Sequence, residues 1–217
     1  MTSPSINKKI ATTAPIEAVA DELIALAQII DRFMDVPRAT MRHDRAETDG
    51  EHTLRLQFIA VSYAARSHPE LDLGKISLYA LVHDFVEVYA GDVNSLKAGH
   101  DAIAQKELAE KAAFRRLEDE LGSLWPDLIN LLRRYEELED PEARFVKCLD
   151  KCDPSFTHYA NGGQALMNMG LIDYEEFKEL CERVRVRMAK YAYEFPDVMA
   201  LREELIARVA RTAYTPV

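Results

Sequence analysis

The 217 residues include 37 acidic and 27 basic side chains, a formal charge of −10, with 48% hydrophobic and 29% charged residues. This composition is typical of a folded globular protein and excludes a disordered chain. It also argues against general binding to nucleic acid, which normally needs a basic face. Eight glycines and nine prolines are few for this length. That scarcity favours helices over a sandwich or barrel built from many tight turns.

The cysteines and the apolar segments indicate the compartment. Cys148, Cys152 and Cys181 lack the paired spacing of a structural zinc site, and we expect reduced thiols. No segment approaches the ~20 uncharged apolar residues that span a bilayer. Acidic residues interrupt the N-terminal stretch that most resembles a signal peptide. The sequence therefore predicts a cytoplasmic protein without membrane contact.

Apolar residues recur at helical spacing along most of the chain. No convincing alternation of period two appears, so the predicted fold class is all-α, with about seven to nine helices. We expect a single domain over residues 1–217, with a core at about 16–160 and C-terminal helices at about 173–213 packed on it. The predicted helices span 16–34, 50–68, 73–90, 101–121, 126–138, a segment that opens at 141, 173–194 and 197–212.

Two residues predict where helices stop. Gly91 follows the third helix, at a position where glycine commonly adopts the left-handed conformation that ends a helix. Pro154 lies four residues after Asp150, and its ring should clash with the Asp150 carbonyl. We therefore expect the helix that carries Asp150 to bend or end just after it.

Several polar residues lie on helix faces that are otherwise apolar. His52 shares a face with Leu56, one turn further on. His83 and Glu87 share a stripe of the third helix, and Asp84 is beside them. A lone histidine on such a face is commonly a hydrogen-bonded core residue. Burial of a carboxylate without a partner, however, costs several kcal/mol or shifts its pKa strongly, and a cation removes that penalty.

A divalent transition metal would account for this set of residues. Imidazole and carboxylate donors suit Mn, Co, Fe, Ni or Zn, and Mg remains an option. Adjacent His83 and Asp84 can both reach one ion, and two further ligands must come from other helices. His52 is one candidate. Asp150, which is flanked by apolar residues, is the other.

The order His52, His83-Asp84 and Asp150 resembles the HD-domain superfamily of metal-dependent phosphohydrolases, and most closely its 5′-deoxynucleotidase branch. The most specific part is the H-D-x-x-E-x-x-x-G-D run that begins at His83. The stretches that carry the resemblance are RAETDGEHTLRL from residue 45, ALVHDFVEVYAGDV from residue 80 and FVKCLDKC from residue 145. The resemblance spans roughly residues 32–155.

The resemblance implies roles for individual residues. The implied metal ligands are His52, His83, Asp84 and Asp150. Glu87 matches the family's catalytic glutamate and Asp92 its following aspartate, both near the attacking water. The implied phosphate contacts are Arg38, Arg42, Arg45 and Lys147. Arg42 and Arg45 fall at matching distances from His52, whereas Arg38 aligns only with a one-residue slip. Ala39 stands where the family often has a bulky aromatic.

The leading hypothesis is a hydrolase of (deoxy)nucleoside 5′-monophosphates. A nucleoside triphosphate hydrolase of the same superfamily is one alternative, and a non-catalytic nucleotide-binding module is another. The superfamily also implies a homo-oligomer, such as a dimer, with the C-terminal helices as a candidate interface. The four remaining histidines are expected on the surface or in loops: His43, His68, His100 and His158.

Overall fold

The computed structural model describes residues 15–42, 44–92 and 100–214. Helices dominate these residues, which confirms the all-α prediction. Two strands, β1 (Pro37–Arg42) and β2 (Arg45–Thr48), form an antiparallel hairpin. The helices are α1 (Ile16–Met34), α2 (Asp49–Ser67), α3 (Leu73–Val82), α4 (Glu87–Ala90), α5 (His100–Leu121), α6 (Pro126–Glu136), α7 (Pro141–Asp150), α8 (Asp153–Ala160), α9 (Gln164–Asn168), α10 (Tyr174–Met188) and α11 (Pro196–Tyr214), with a 3₁₀ turn at Ala192–Glu194.

The hairpin was not predicted, and its side chains explain why. A strand that covers an apolar core alternates apolar and polar residues, but the buried residues here are Thr40 on β1 and Glu47 on β2. The Thr40 hydroxyl donates to the Glu47 carboxylate at 2.9 Å. The hairpin therefore buries a polar pair, which hydrophobic periodicity cannot reveal.

Helix α2 begins in a capping box that lies directly before His52. The Glu51 amide donates to the Thr48 hydroxyl at 3.3 Å, and the Thr48 amide donates to the Glu51 carboxylate at 3.2 Å. Such reciprocal bonds satisfy the free amides of a helix start. His52 follows at once on the first turn, on the face that continues to Leu56 in the core.

The single helix expected over 73–90 is divided in two. Helix α3 ends at Val82, and the next amides bond three residues back: Phe85 to Val82 at 3.0 Å and Glu87 to Asp84 at 2.8 Å. This tighter winding is 3₁₀-like, a conformation often found at functional sites. Gly91, with φ of 72°, ends α4 as predicted.

Three apolar clusters hold the helices together. The first lies between α2, α3 and α7, around Leu56, Ile76 and Phe145. The second joins α1, α5 and α6 around Leu117. The third joins α9, α10 and α11 around Leu166. His52 and Asp150 lie on elements of the first cluster, and His83 and Asp84 follow α3 directly. The third cluster supplies one wall of the main cavity.

Two breaks in the C-terminal half have clear local causes. Helix α7 ends at Asp150 and α8 starts at Asp153 with Pro154 in its first turn, as the proline predicts. Gly163 precedes α9 with φ of 82°, and a Cβ there would lie 2.3 Å from the Cβ of Ala213. Only glycine allows the chain to approach α11 this closely.

Candidate metal centre and cavity

The four predicted ligands come together from three places in the chain. Donor atoms of His52, His83, Asp84 and Asp150 all lie within 4.8 Å of one another. His52 Nε2 is 3.0 Å from His83 Nε2 and 3.3 Å from an Asp150 oxygen. His83 Nε2 is 3.0 Å from an Asp84 oxygen. Both imidazoles are almost fully buried, at 0% and 2% exposure.

The hydrogen bonds at the outer ring nitrogens leave the inner ring nitrogens for a proton or a metal ion. His83 Nδ1 donates to the Ala80 carbonyl at 2.8 Å, and His52 Nδ1 lies 2.7 Å from an Asp153 oxygen. Because both Nδ1 atoms carry hydrogen, the two neutral rings would face each other with Nε2 lone pairs at 3.0 Å. A proton or a metal ion must lie between them. Two nitrogens and two carboxylates form a donor set that fits a divalent ion.

Burial and the closely spaced charges determine the pKa values of His52, Asp84 and Asp150. Burial opposes protonation of His52, but Asp150 and Asp153 outweigh it and raise its pKa to about 9. Burial also opposes ionisation of Asp84, yet His83 holds its pKa well below the usual value. The pKa of Asp150 is likewise lowered despite burial, first by Lys151, whose Nζ lies 2.7 Å from Asp150 Oδ2. The carboxylates are therefore ionised and ready to bind a cation.

A buried ion network behind His52 fixes its orientation. Asp153 accepts from Arg55 Nε at 2.9 Å in addition to its contact with His52. Arg55 also donates to Glu47 on the hairpin, and Thr157 donates to the same carboxylate at 3.2 Å. Carboxylates of this kind hold a ligating imidazole in one tautomer and orientation. Arg55 forms ion pairs with both Glu47 and Asp153 and so links the hairpin to the residue that holds His52.

Arg38 lies at the edge of the centre. Its Nη1 donates to Asp49 at 2.8 Å and to Asp84 at 3.0 Å, and its side chain is only 11% exposed. Burial opposes its charge, but Asp84, Asp92 and Asp150 outweigh that and raise the pKa of Arg38. Burial raises the pKa of Asp49 to about 6. The guanidinium therefore occupies the space between Asp49 and Asp84.

The two residues expected near the attacking water also face this region. Glu87 is buried, and Lys106 Nζ approaches its carboxylate at 3.5 Å. Burial and the neighbouring acids, Asp84 first, raise the pKa of Glu87 to about 10. Asp92 accepts from the Ala39 amide at 3.1 Å, which ties the chain after Gly91 to the hairpin. Both side chains line the cavity.

The remaining predicted phosphate contacts are in different positions. Arg42 and Arg45 both pair with Glu51, and their side chains are 50% and 56% exposed. Neither lines the cavity, whereas Arg38 and Lys147 do. The Lys147 ammonium lies 5.2 Å from the centre of the Tyr135 ring. The structure therefore brings Arg38 and Lys147 to the metal residues and leaves Arg42 and Arg45 on the outer face of the hairpin.

A cavity of about 420 Å³ connects the metal residues with the C-terminal helices. Its outer end is formed by Arg38, Asp84, Glu87 and Asp150, and it continues past Pro154. The inner end, here named the inner chamber, is formed by side chains of α8 to α11. Its apolar walls are Leu166, Phe177, Leu180, Val184, Ile206 and Val209.

The prediction that His158 lies on the surface is wrong. His158 is 5% exposed on α8 and lines the cavity, because α11 and β1 pack on a helix that the sequence analysis did not predict. His68 is also largely buried and packs against Phe145 and Phe195. His43 lies outside the described residues, as does the side chain of His100.

Sequence reasoning missed several residues of the site. Asp49, Arg55 and Asp153 are buried or half-buried partners of the predicted ones. Two of them carried a signal. Asp153 lies three residues after Asp150, and Arg55 lies three residues after His52 on the same helix face. Asp49 carried none, since an acid in the first turn of a helix is ordinary.

A family profile and curated relatives agree with the geometry. The profile of the HD domain matches residues 30–191. The 5′-deoxynucleotidase HDDC2 of Xenopus laevis is 27% identical over 206 residues, which cover 89% of this chain and 94% of that protein. The human protein of the same name is 27% identical over 62% of this chain and 65% of its own length.

A bacterial relative and two solved structures extend the comparison. The 5′-deoxynucleotidase YfbR of Salmonella paratyphi B is 32% identical over 51% of this chain and 64% of that protein. A predicted metal-dependent phosphohydrolase from Magnetospirillum magnetotacticum superposes with a TM-score of 0.64 at 24% identity, covering 88% of this chain and 96% of that one. A conserved hypothetical protein from Pyrococcus furiosus gives 0.55 at 21% identity, with 87% and 99% coverage. These superpositions show a shared fold.

Proposed function

Because the chain belongs to the HD-domain family, we propose that it is a metal-dependent hydrolase that removes phosphate from nucleoside 5′-monophosphates. The observation that carries this proposal is the pair of imidazoles whose Nε2 atoms face each other at 3.0 Å beside two ionised carboxylates. Relatives named 5′-deoxynucleotidase support the substrate class. The matched segments cover slightly less than two thirds of several of these relatives.

His52, His83, Asp84 and Asp150 would hold one divalent ion. The donor set suits Mn, Co, Fe, Ni or Zn, and the sequence leaves Mg as an option. When bound, such an ion neutralises phosphoryl oxygens and brings the pKa of a bound water towards neutrality. Asp153 and the Ala80 carbonyl keep the two imidazoles in the tautomer that presents Nε2. The ligand atoms are therefore oriented before any ion arrives.

Arg38 is the proposed phosphate contact. Asp49 and Asp84 fix the guanidinium through Nη1, and among the described residues Nη2 has no hydrogen-bond partner. A planar guanidinium held in this way is ready for the charge-assisted bonds that phosphate accepts. Lys147 faces the same cavity from α7. Glu87 and Asp92 are the proposed groups for orienting the attacking water and for protonating the leaving 5′-oxygen.

The charge of the cavity favours an anionic substrate. Its described lining contains six acidic side chains and six Lys or Arg side chains. Burial and the neighbouring acids raise the pKa of Glu87 to about 10, so with a divalent ion bound the basic groups and the ion outweigh the ionised acids. A phosphate monoester is a dianion at neutral pH and would be attracted to this positive cavity. Relatives named 5′-deoxynucleotidase favour the monophosphate. Triphosphate hydrolysis is thus the second candidate, and a non-catalytic module the third.

A metal-supplemented screen of nucleoside mono- and triphosphates tests the proposal. Inorganic phosphate, pyrophosphate and tripolyphosphate are resolved separately. Release of inorganic phosphate from monophosphates, dependent on added metal and abolished by a chelator, is the expected result. Tripolyphosphate as the main product would favour the triphosphate hydrolase. Metal-loaded protein without any turnover would favour the binding module.

We also expect a cytoplasmic homodimer. None of the helices in the described residues is long and apolar enough to cross a membrane. Leu54 and Phe58 on α2, and Leu78 and Leu81 on α3, are apolar and exposed. These neighbouring helices are joined by a hydrogen bond from Gln57 to the Ser77 carbonyl. Light scattering of wild type and Phe58→Glu tests the assembly. An unchanged dimer mass in the variant excludes this surface and leaves the C-terminal helices, the interface expected from the family, as the candidate.

A further inference from the structure

The cavity is larger than the phosphate end needs. The ion, the phosphate and Arg38 account for its outer end, yet it extends between α8, α10 and α11. At about 420 Å³ it falls in the range of small-molecule sites. The inner chamber is walled by aliphatic side chains and Phe177, which is 5% exposed. Such a space favours an uncharged, flat or apolar group.

The inner chamber also has polar groups without partners. Neither ring nitrogen of His158 forms a hydrogen bond with any described residue, and Nδ1 is fully buried. Burial lowers the pKa of His158 to about 4, so the ring is neutral at pH 7 and offers one donor and one acceptor. Arg202 is 3% exposed and bonds to Glu203 and the Cys181 carbonyl, but its Nε has no partner.

These two properties select one kind of occupant. An alkyl chain would suit the walls but would leave His158 unpaired, and buried polar groups are normally hydrogen-bonded. An anionic group would be surrounded by apolar side chains. Of the two arginines of α10 and α11 that line the cavity, Arg202 is already offset by Glu203 at 2.8 Å and Arg187 is exposed to solvent. A neutral heteroaromatic ring matches both the walls and the imidazole, since its faces are apolar and its edge bears donors and acceptors.

We propose that the inner chamber binds the nucleobase of the substrate, with the ring between the apolar walls and its polar edge on His158. This inference rests on the proposed function and specifies it further. The phosphate lies at the metal end, the sugar passes Pro154 and Ser155, and the base points towards α10 and α11. The leaving group, rather than the phosphate, then determines which monoesters are hydrolysed well.

Cys181 provides a direct probe of occupancy. It lines the inner chamber, whereas Cys148 and Cys152 are fully buried. Burial raises the pKa of Cys181 to about 11, so its alkylation by a small maleimide is followed at pH 8 over hours. Thymidine or adenosine, neither bearing phosphate, should slow labelling of Cys181 at least threefold. Inorganic phosphate should not. Cys181→Ser identifies the labelled peptide by mass spectrometry.

A matched pair of variants on α10 tests the consequence for catalysis. Leu180→Trp fills the inner chamber, and Val186→Trp places the same ring on an exposed position of the same helix. The quantity measured is the ratio of kcat/KM for a nucleoside monophosphate to that for ribose 5-phosphate, which has no base. We expect Leu180→Trp to lower this ratio at least tenfold and Val186→Trp to leave it within twofold.

The outcomes separate this inference from the proposed function. Hydrolysis of nucleotides without nucleoside protection of Cys181 overturns the inference and leaves the function. Nucleoside protection of Cys181 without hydrolysis of any phosphate monoester overturns the proposed function and leaves the inference. An equal loss on both substrates in Leu180→Trp means that the chamber only supports the fold. If that variant does not fold, His158→Gln replaces it. An unchanged ratio of the two kcat/KM values in His158→Gln, together with no nucleoside protection of Cys181 in wild type, overturns the inference.

Discussion

The two ends of the cavity are constructed differently. At the metal end each histidine is held from behind, His52 by Asp153 and His83 by the Ala80 carbonyl, so donor atoms converge before anything binds. In the inner chamber the walls are apolar and His158 has no partner among the described residues. A prearranged charged centre fixes the chemistry, whereas a loosely satisfied apolar space leaves the choice of ligand to shape and a few polar contacts.

Loss of a metal ligand is expected to have the largest effect. His83→Ala removes a nitrogen donor whose partner is 3.0 Å away on His52. Metal content should fall from about one ion to below ~0.1 per chain, and phosphatase activity should fall by roughly 10³-fold or more. Elemental analysis after gel filtration measures the first and phosphate release the second. A variant that keeps both metal and activity would remove His83 from the ligand set.

Arg38→Ala tests the phosphate side of the metal end. A fixed charge-assisted contact contributes about 2–3 kcal/mol, so its loss should lower kcat/KM roughly 30–150-fold. Arg42→Ala and Arg45→Ala serve as controls, because both side chains pair with Glu51 outside the cavity, and each should stay within about threefold. A larger loss in the controls than in Arg38→Ala would reverse this assignment.

Asp153→Asn tests whether prearrangement matters. The amide keeps the size of the side chain but weakens its hold on His52 and Arg55. Removing such a partner typically costs 10–100-fold in metal affinity, and we expect a loss of about this size in competition with a fluorescent chelator. Circular dichroism controls for folding. Unchanged affinity in a folded variant would mean that the metal end does not need this support.

Burial of His158 in the inner chamber should make the stability of the protein fall at acidic pH. Burial, opposed by Glu47, lowers the pKa of His158 to about 4, against about 6.5 in the unfolded chain. Below pH 6.5 the unfolded state takes up a proton that the folded state refuses, so stability is lost as pH falls from 6.5 towards 4. Between pH 7 and 5 this loss should be roughly 2 kcal/mol. Urea unfolding of metal-free wild type and His158→Gln measures the difference, and equal pH dependence in both would contradict the assignment.

The convergence of His52, His83, Asp84 and Asp150 could be predicted from the sequence, and the inner chamber could not. His83 and Asp84 are adjacent, and His52 and Asp150 lie on otherwise apolar faces, so local pattern identifies them. The chamber is lined by α8 to α11, and α8 is covered by α11 and β1, which are distant from His158 in the chain. Hydrophobic periodicity does not predict the hairpin, because its buried residues are the polar pair Thr40 and Glu47.

Glu51 joins the hairpin to the start of α2. Its carboxylate caps α2 through the Thr48 amide and also accepts from Arg42 and Arg45 on the hairpin. Hydrogen bonding from Arg45 lowers the pKa of Glu51 to about 2, so the carboxylate is ionised throughout the physiological pH range. One side chain therefore serves both the hairpin that carries Arg38 and the helix turn that carries His52.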